Sequence, residues 1–374
     1  MTDAGSGWIE PEPIEPLRNP ALQRPPTWLS VPRPDDVMWL DKNENLDPEL
    51  LRFNRSLLER VDARTLSVYP EAARLYSAVA DWCGVAPESL MLTPGSDGAI
   101  RLAFHAFVER GDRVVHTRPT FAMYPVYASI FGATPSSLEY RRTPVGPRLD
   151  VDDVVAHLER VRPRLFCLPN PDSPTGTVFD PDAMSRLVDV CGRIGTVFLV
   201  DEAYHPFYRH SMVPRVDSAP HLVVARSFSK AWGLAGLRLG YLVGHPRVIA
   251  TIHKLRPMYE VGALSIALME IAVEHVDRME ASVRRLEEGR SYFVREMRSL
   301  GFETLETHGN FQHVNFGKDA EAVHRNLEGA VLYRKGFAED CLSGYSRFSL
   351  TTREGFEKVV FNIKGAAACS GEGV

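Results

Sequence analysis

The chain has 374 residues, 44% hydrophobic and 24% charged, with 43 Lys+Arg against 48 Asp+Glu and a formal net charge of -5. This composition excludes a disordered or fibrous chain, and a length beyond the roughly 250–300 residues at which one core stops growing predicts a large domain plus a smaller one. A mildly acidic chain without basic runs offers no footprint for nucleic acid, and no apolar run is long enough to span a bilayer, so small soluble molecules are the expected partners.

Residues Met1 to Ile14 lack the basic stretch and apolar core of a secretory signal, which makes the cytoplasm the expected location. The cysteines Cys83, Cys167, Cys191, Cys341 and Cys369 are scattered and odd in number, and free, mostly buried thiols are expected. Up to about Val37 the chain is proline-rich, which removes backbone donors and predicts an extended arm. Trp8, Trp28 and Trp39 point to parts of that arm resting on something.

From Tyr69 onward short apolar runs alternate with helix-length amphipathic segments. Ser89–Thr93, Arg113–Thr117, Leu165–Leu168, Thr196–Val200, Leu222–Ala225 and Leu237–Val243 read as strands. Ala72–Trp82, Asp97–Glu109, Asp152–Arg160 and Pro181–Arg193 read as the helices between them. That alternation predicts an α/β fold with a mainly parallel sheet covered on both faces. After Arg256 the rhythm changes to one long helix, Ile266 to Leu300, ending at Gly301. Strands Phe311–Phe316, Val331–Arg334 and Arg347–Thr351 then interleave with helices Ala320–Glu328 and Glu354–Ile363. The predicted division is an arm over 1–37, a large domain over 38–255, and a small α+β domain over 256–374 that part of the arm joins.

In open α/β sheets ligands lie beyond the carboxyl ends of the strands. Three such ends carry chemistry: Asn170-Pro171-Asp172-Ser173-Pro174-Thr175-Gly176, Asp201-Glu202-Ala203-Tyr204, and Ser227-Phe228-Ser229-Lys230. A lone lysine is ordinarily a solvated surface residue, but Lys230 precedes the apolar, glycine-spaced segment Ala231 to Leu237, where a desolvated amine would be activated. The turn Thr93-Pro94-Gly95-Ser96-Asp97-Gly98 opens a helix. Its free N–H groups and the Ser96 hydroxyl are suited to a phosphate, while an ordinary N-cap is the reading favoured when the turn is taken alone. No nucleotide-binding glycine pattern is present, and His205 and His210 lack the spacing of a metal pair.

Taken in order, Leu40 to Asn45, Tyr69-Pro70, Gly95-Ser96-Asp97, Pro119-Thr120-Phe121, Asn170 to Gly176, Asp201 to Tyr204, Ser227 to Lys230, Arg238, Asn310-Phe311 and Arg347 resemble the fold-type I pyridoxal-phosphate aminotransferases. Within these the chain is most similar to the histidinol-phosphate and aromatic aminotransferase branch. The resemblance implies a pyridoxal 5'-phosphate cofactor bound by the large domain. Lys230 would bond covalently to the cofactor aldehyde and then act as the base at the substrate's alpha carbon. Asp201 would face the pyridine nitrogen, Tyr204 the ring hydroxyl, and Phe121 would stack on the ring. Ser227, Ser229 and Arg238 would join Gly95, Ser96 and Asp97 around the phosphate. Tyr69 would reach that phosphate from a second subunit, implying a homodimer. Arg347, with Arg334 and Asn45, would hold the substrate, an amino donor or oxo acceptor.

Three departures from the family pattern stand out. Ser173 occupies a position that is normally asparagine, so the bond to the ring hydroxyl changes. Leu46-Asp47-Pro48 replaces the usual proline, aromatic and glycine, and the glycine usual near Thr351 is missing. All fall mostly around the substrate. The expected function is therefore histidinol-phosphate aminotransferase-like amino-group transfer between an amino acid or amino phosphate and a 2-oxo acid or phosphorylated ketone, with specialised biosynthesis as an expected setting. A decarboxylase of phosphorylated amino acids is the alternative on the same fold. A DNA-binding ligand sensor would need a recognition helix, which the proline-rich arm does not supply.

Overall fold

The computed structural model describes residues 12–22 and 27–370. Seven strands form the central sheet. Across it the order runs Leu90–Thr93, Gly240–Gly244, Leu222–Ser227, Val197–Asp201, Leu165–Pro169, Arg113–Arg118, Thr134–Glu139. Gly240–Gly244 is antiparallel to both neighbours and the other pairings are parallel. Six strands therefore end on one edge, which gathers residues far apart in sequence.

Each strand feeds both faces because successive side chains alternate. Phe166, Leu168, Phe198, Val200, Leu222 and Val224 enter one core, with Val79, Leu158 and Leu187 from the helices Ala73–Cys83, Val151–Val161 and Pro181–Ile194. Cys167, Leu199, Val223 and Ala225 enter the other, with Phe104, Tyr124 and Ile249 from Gly95–Phe107, Met123–Ile130 and Pro246–Ile252. Pro181–Ile194 shows how these helices are bounded: Asp180 accepts from the Ala183 N–H, Pro181 has no N–H that needs an acceptor, and Gly195 closes the helix at φ +73°.

A third core surrounds Leu286, Phe293, Val314, Phe348, Phe356 and Val360. It is built by a three-stranded antiparallel sheet, Glu303–Thr304, Phe311–Asn315 and Tyr345–Ser349, with helices Ala320–Leu327 and Arg353–Ser370. The segment Met38–Trp39 pairs in parallel with Val331–Leu332, and Leu40 enters this core and accepts from the Ser349 N–H.

The long helix expected over Ile266 to Leu300 is two, Ala263–Val273 and Val276–Ser299. The buried residues of the first join the central core, as do Met279 and Val283 at the start of the second, whereas Leu286, Phe293 and Met297 further along it serve the third core. His275 leaves the helical region at φ -124°, ψ 48°, its ring edge-on to Phe53. Gly301 follows the second helix at φ +82°.

The arm contains single helical turns at Glu15–Arg18, Pro20–Leu22 and Thr27–Leu29 rather than a continuous extended strand. Trp39 donates to the Pro34 carbonyl, whereas Trp28 is 82% exposed; Trp8 lies outside the described residues. Cys83, Cys167, Cys191 and Cys341 are free, and the side chain of Cys369 is outside the description. Among the described residues no helix is long and apolar enough to cross a membrane.

Candidate active site

Asp201 is the last residue of its strand, and Ser227 the last of the next. Beyond Ser227 the chain is fixed by the buried side chains of Phe228, Ala231 and Trp232 and by the Ser229 N–H donating to Ser227 Oγ at 3.0 Å. Lys230, held between these anchors, turns its amine inward: Nζ donates to the Lys42 carbonyl at 3.1 Å and lies 5.9 Å from the centre of the Tyr204 ring. Burial lowers its pKa to about 8, reinforced by Arg347 and Arg238 and opposed by Glu44 and Asp201.

The Asp201 carboxyl is pushed up to about 6 by burial, against the pull of two donors. The Tyr124 hydroxyl donates to Oδ2 at 2.9 Å and the Ala203 N–H to Oδ1 at 3.0 Å. Tyr204 accepts from the Asn43 amide at 2.9 Å, and its ring meets Phe311 edge-on at 5.4 Å. Burial raises the Tyr204 phenol, while Arg347, the Ser173 hydroxyl and Asn43 favour its ionised form. Phe121 lies edge-on to Tyr124 at 5.8 Å.

The helix Gly95–Phe107 opens at the same edge, its unpaired N–H groups facing outward from the strand Leu90–Thr93. Gly95 has φ +73°, and a Cβ there would come 2.8 Å from Arg238 Nη2. Gly240 lets this turn approach, since a Cβ on it would strike the Gly95 and Ser96 backbone at 2.5 and 2.6 Å. Arg238 Nη1 lies 3.5 Å from Ser229 Oγ, and Asp97 accepts from the Tyr127 hydroxyl at 3.0 Å. Exposed Arg238, the helix start and two serines form a donor set for a phosphate. With Asp201 for a protonated ring nitrogen and Lys230 for an aldehyde, these residues fit a pyridoxal phosphate.

On the opposite side, Arg347 is 8% exposed. Nη2 donates to the Asp41 carbonyl at 3.1 Å, Nε is buried without a hydrogen-bond partner among the described residues, and the guanidinium lies 5.3 Å from the centre of the Phe311 ring. Arg334 forms a backbone bridge with Arg347 but is exposed, its guanidinium 4.0 Å from the centre of the Phe337 ring. Asn45 is committed elsewhere: its amide donates to the Ala231 carbonyl at 2.9 Å and to Ser282 at 3.0 Å, and its oxygen accepts from the Asp47 N–H. Asn43, two residues earlier, is the member of this segment that touches Tyr204. Tyr69 lines a separate open groove with Arg64, Ala263 and Glu270, 74% exposed and stacked on Tyr259 at 4.3 Å.

Three contributors escaped the sequence reading. Asn43 sits at φ +55°, a conformation asparagine tolerates better than most residues, and it lies in the very segment that carries the resemblance. Tyr124, three residues after Phe121, falls in the first turn of a helix and so on the same side. Asp172, wholly buried, accepts from the Thr175 N–H and hydroxyl and from the Thr117 hydroxyl, fixing the turn that carries Ser173.

Residues 35–363 match the family model for aminotransferase class I and II. The histidinol-phosphate aminotransferase of Thermoanaerobacter sp. (strain X514) is 30% identical over 332 residues, covering 87% of this chain and 92% of the relative. Histidinol-phosphate aminotransferase 1 of Carboxydothermus hydrogenoformans is 32% identical over 322 residues, covering 84% and 88%. Among solved structures, histidinol-phosphate aminotransferase from Sinorhizobium meliloti in complex with pyridoxal-5'-phosphate superposes with a TM-score of 0.74 at 22% identity, covering 89% of this chain and 91% of that one.

Proposed function

The chain belongs to the class I and II aminotransferase family, a fold-type I enzyme using pyridoxal 5'-phosphate, and from that membership we propose that it transfers an amino group between an amino phosphate of the histidinol-phosphate type and a 2-oxo acid. The observation that carries this reading is the Lys230 amine, held at a pKa of about 8 on the sheet edge that also presents Asp201, with Arg347 across from it.

When bound, the pyridoxal ring supplies an electron sink for the pair left on the substrate's alpha carbon. Asp201, anchored by Tyr124 and Ala203, is placed to keep the ring nitrogen protonated. Tyr204, Asn43 and Ser173 hold the ring hydroxyl side, and Phe121 covers the ring face. Gly95, Ser96, Asp97, Ser227, Ser229 and Arg238 bind the phosphate. Lys230 Nζ takes the proton from the alpha carbon; a neutral amine is accessible near pH 8, which suits it to that transfer. Arg347, joined by Arg334, binds the anionic end of the substrate. Asn45 fastens the overlying segment to Ala231, next to Lys230.

We assign the arm to 1–37, the cofactor-binding domain to 38–255 and the small domain to 256–374, in keeping with the separate core around Phe293 and Phe348. Leu66, Val68, Tyr69, Met258 and Tyr259 are exposed apolar groups, which supports a homodimer in which Tyr69 reaches the partner's phosphate site. Free thiols at Cys83, Cys167, Cys191 and Cys341 suit a reducing compartment, the cytoplasm.

Mixing cofactor-loaded protein with histidinol phosphate tests the reading. Bleaching of the aldehyde's visible absorption, with recovery on adding a 2-oxo acid, is the expected result. An unchanged spectrum with every amine tried, or carbon dioxide release from amino acids without amination of the cofactor, would overturn it.

A further inference from the structure

His313 stands directly opposite Arg347 across the pair Phe311–Asn315 and Tyr345–Ser349, and Arg334 stands opposite Arg347 on its other side. Residues directly opposite in an antiparallel pair share a face, so His313, Arg347 and Arg334 form one row with Arg347 in the middle. The imidazole is wholly buried, no side chain among the described residues hydrogen-bonds either ring nitrogen, and the Pro174 carbonyl is an acceptor that faces it. Its ring lies edge-on to Phe311 and tilted against Phe337, 5.5 Å from each, and Phe337 is the ring that carries the Arg334 guanidinium. Arg347 Nε, buried and unpaired, belongs to the same row.

We propose that His313 is a specificity-determining residue of this site: its imidazole takes up a proton when a dianionic group lies on Arg347 and Arg334, so that the site prefers a phosphate to a carboxylate at that end. The inference rests on the aminotransferase reading above. The groups facing the ring are Arg347 from its own sheet, Arg334 from the segment after Val331–Leu332, and the Pro174 carbonyl from the turn after Leu165–Pro169. Burial and the two guanidiniums keep the ring neutral, and only the carbonyl favours its charged form. A carboxylate leaves one of the two guanidinium charges unbalanced, so the ring is still held neutral. A dianion offsets both, which removes that repulsion and leaves the Pro174 carbonyl to favour the proton.

The probe is sulfate, a dianion that does not titrate near neutrality, used as a competitor of the amine substrate on cofactor-loaded enzyme, with formate as the monoanion. Sulfate inhibition is expected to weaken several-fold from pH 6 to pH 8 in the parent, measured relative to formate, and to show no such relative change in His313→Asn, which cannot take a proton. His313→Leu is expected to narrow the ratio of KM values for carboxylate and phosphate amines about tenfold. Should the leucine variant fail to fold, the asparagine variant decides alone, and proton uptake on sulfate binding to the parent, measured by calorimetry in two buffers, gives an independent reading. Identical relative sulfate profiles in parent and His313→Asn, or no proton uptake, would overturn the inference while leaving amination of the cofactor intact. Absence of amination in the parent would instead defeat the underlying function.

Discussion

The Tyr124 hydroxyl donates to Asp201 Oδ2 at 2.9 Å, so the carboxylate expected to face the cofactor is oriented from behind by a wholly buried phenol. Burial pushes Asp201 up to about 6, and the Tyr124 bond is the first of the forces holding it down. Removing the hydroxyl in Tyr124→Phe leaves a less anionic partner for the ring nitrogen. A hydrogen bond to a charged group contributes about 1.5–3 kcal/mol, so cofactor retention is expected to weaken at least about tenfold. Absorbance titration of the apoprotein with pyridoxal phosphate measures it, and equal affinity in the two proteins would count against the arrangement.

Arg347 already has one contact with a carbonyl, that of Asp41, and one unused buried N–H. A substrate anion would take both sides of this fork. Arg347→Ala is expected to lower kcat/KM by about 100-fold, in line with the several kcal/mol at stake when a buried charge loses its partner. The cofactor spectrum should be retained. Unchanged steady-state kinetics would show that the anion binds elsewhere.

Arg33 holds the segment that covers the site. Its guanidinium donates to Asp41 Oδ1 at 3.0 Å and to Glu44 at 2.6 and 3.0 Å. Between these carboxylates, the Asp41 carbonyl meets Arg347, the Lys42 carbonyl meets Lys230, and the Asn43 amide meets Tyr204. Arg33→Ala should therefore raise KM several-fold while costing only about 1 kcal/mol of stability, the scale of a part-exposed ion pair. Kinetics beside a denaturant titration separates the two effects, and a loss of stability without any change in KM would refute a link to the site.

Asp172 gives the apoprotein a pH dependence. Burial raises its carboxyl from 3.8 to about 7, despite three bonds from Thr175 and Thr117. A carboxyl whose folded value exceeds its unfolded one favours the folded state below the unfolded value, and this contribution is lost as pH rises through the folded value. Stability of the apoprotein should thus fall between about pH 4 and pH 7 from this group, with Asp201 adding in the same direction up to about pH 6. Asp172→Asn should flatten the profile and be the more stable protein at pH 8, by up to about 4 kcal/mol for a three-unit shift. Melting curves of both apoproteins across this range check it; parallel profiles would contradict it.

The parallel strands were legible because each is a short, continuous apolar run followed by polar residues, and those polar residues include Asp201 and Lys230. The edge strand Thr134–Glu139 was not, because a sheet edge tolerates polar side chains and its sequence TPSSLE carries no apolar run. The break at Glu274 and His275 was hidden because neither residue stops a helix by itself. Asn43 and Asn45 are alike in sequence, and only the fold decides that one amide meets Tyr204 and the other Ala231. The row of His313, Arg347 and Arg334 depends on strand register between distant segments, which composition and periodicity do not encode.

Borohydride reduction of the cofactor-loaded protein, followed by peptide mass mapping, tests the amine at the centre of this account most directly. A reduced pyridoxyl adduct on Lys230, absent from Lys230→Ala, is the predicted result. An adduct on a different lysine, or an equal yield in the alanine variant, would contradict it.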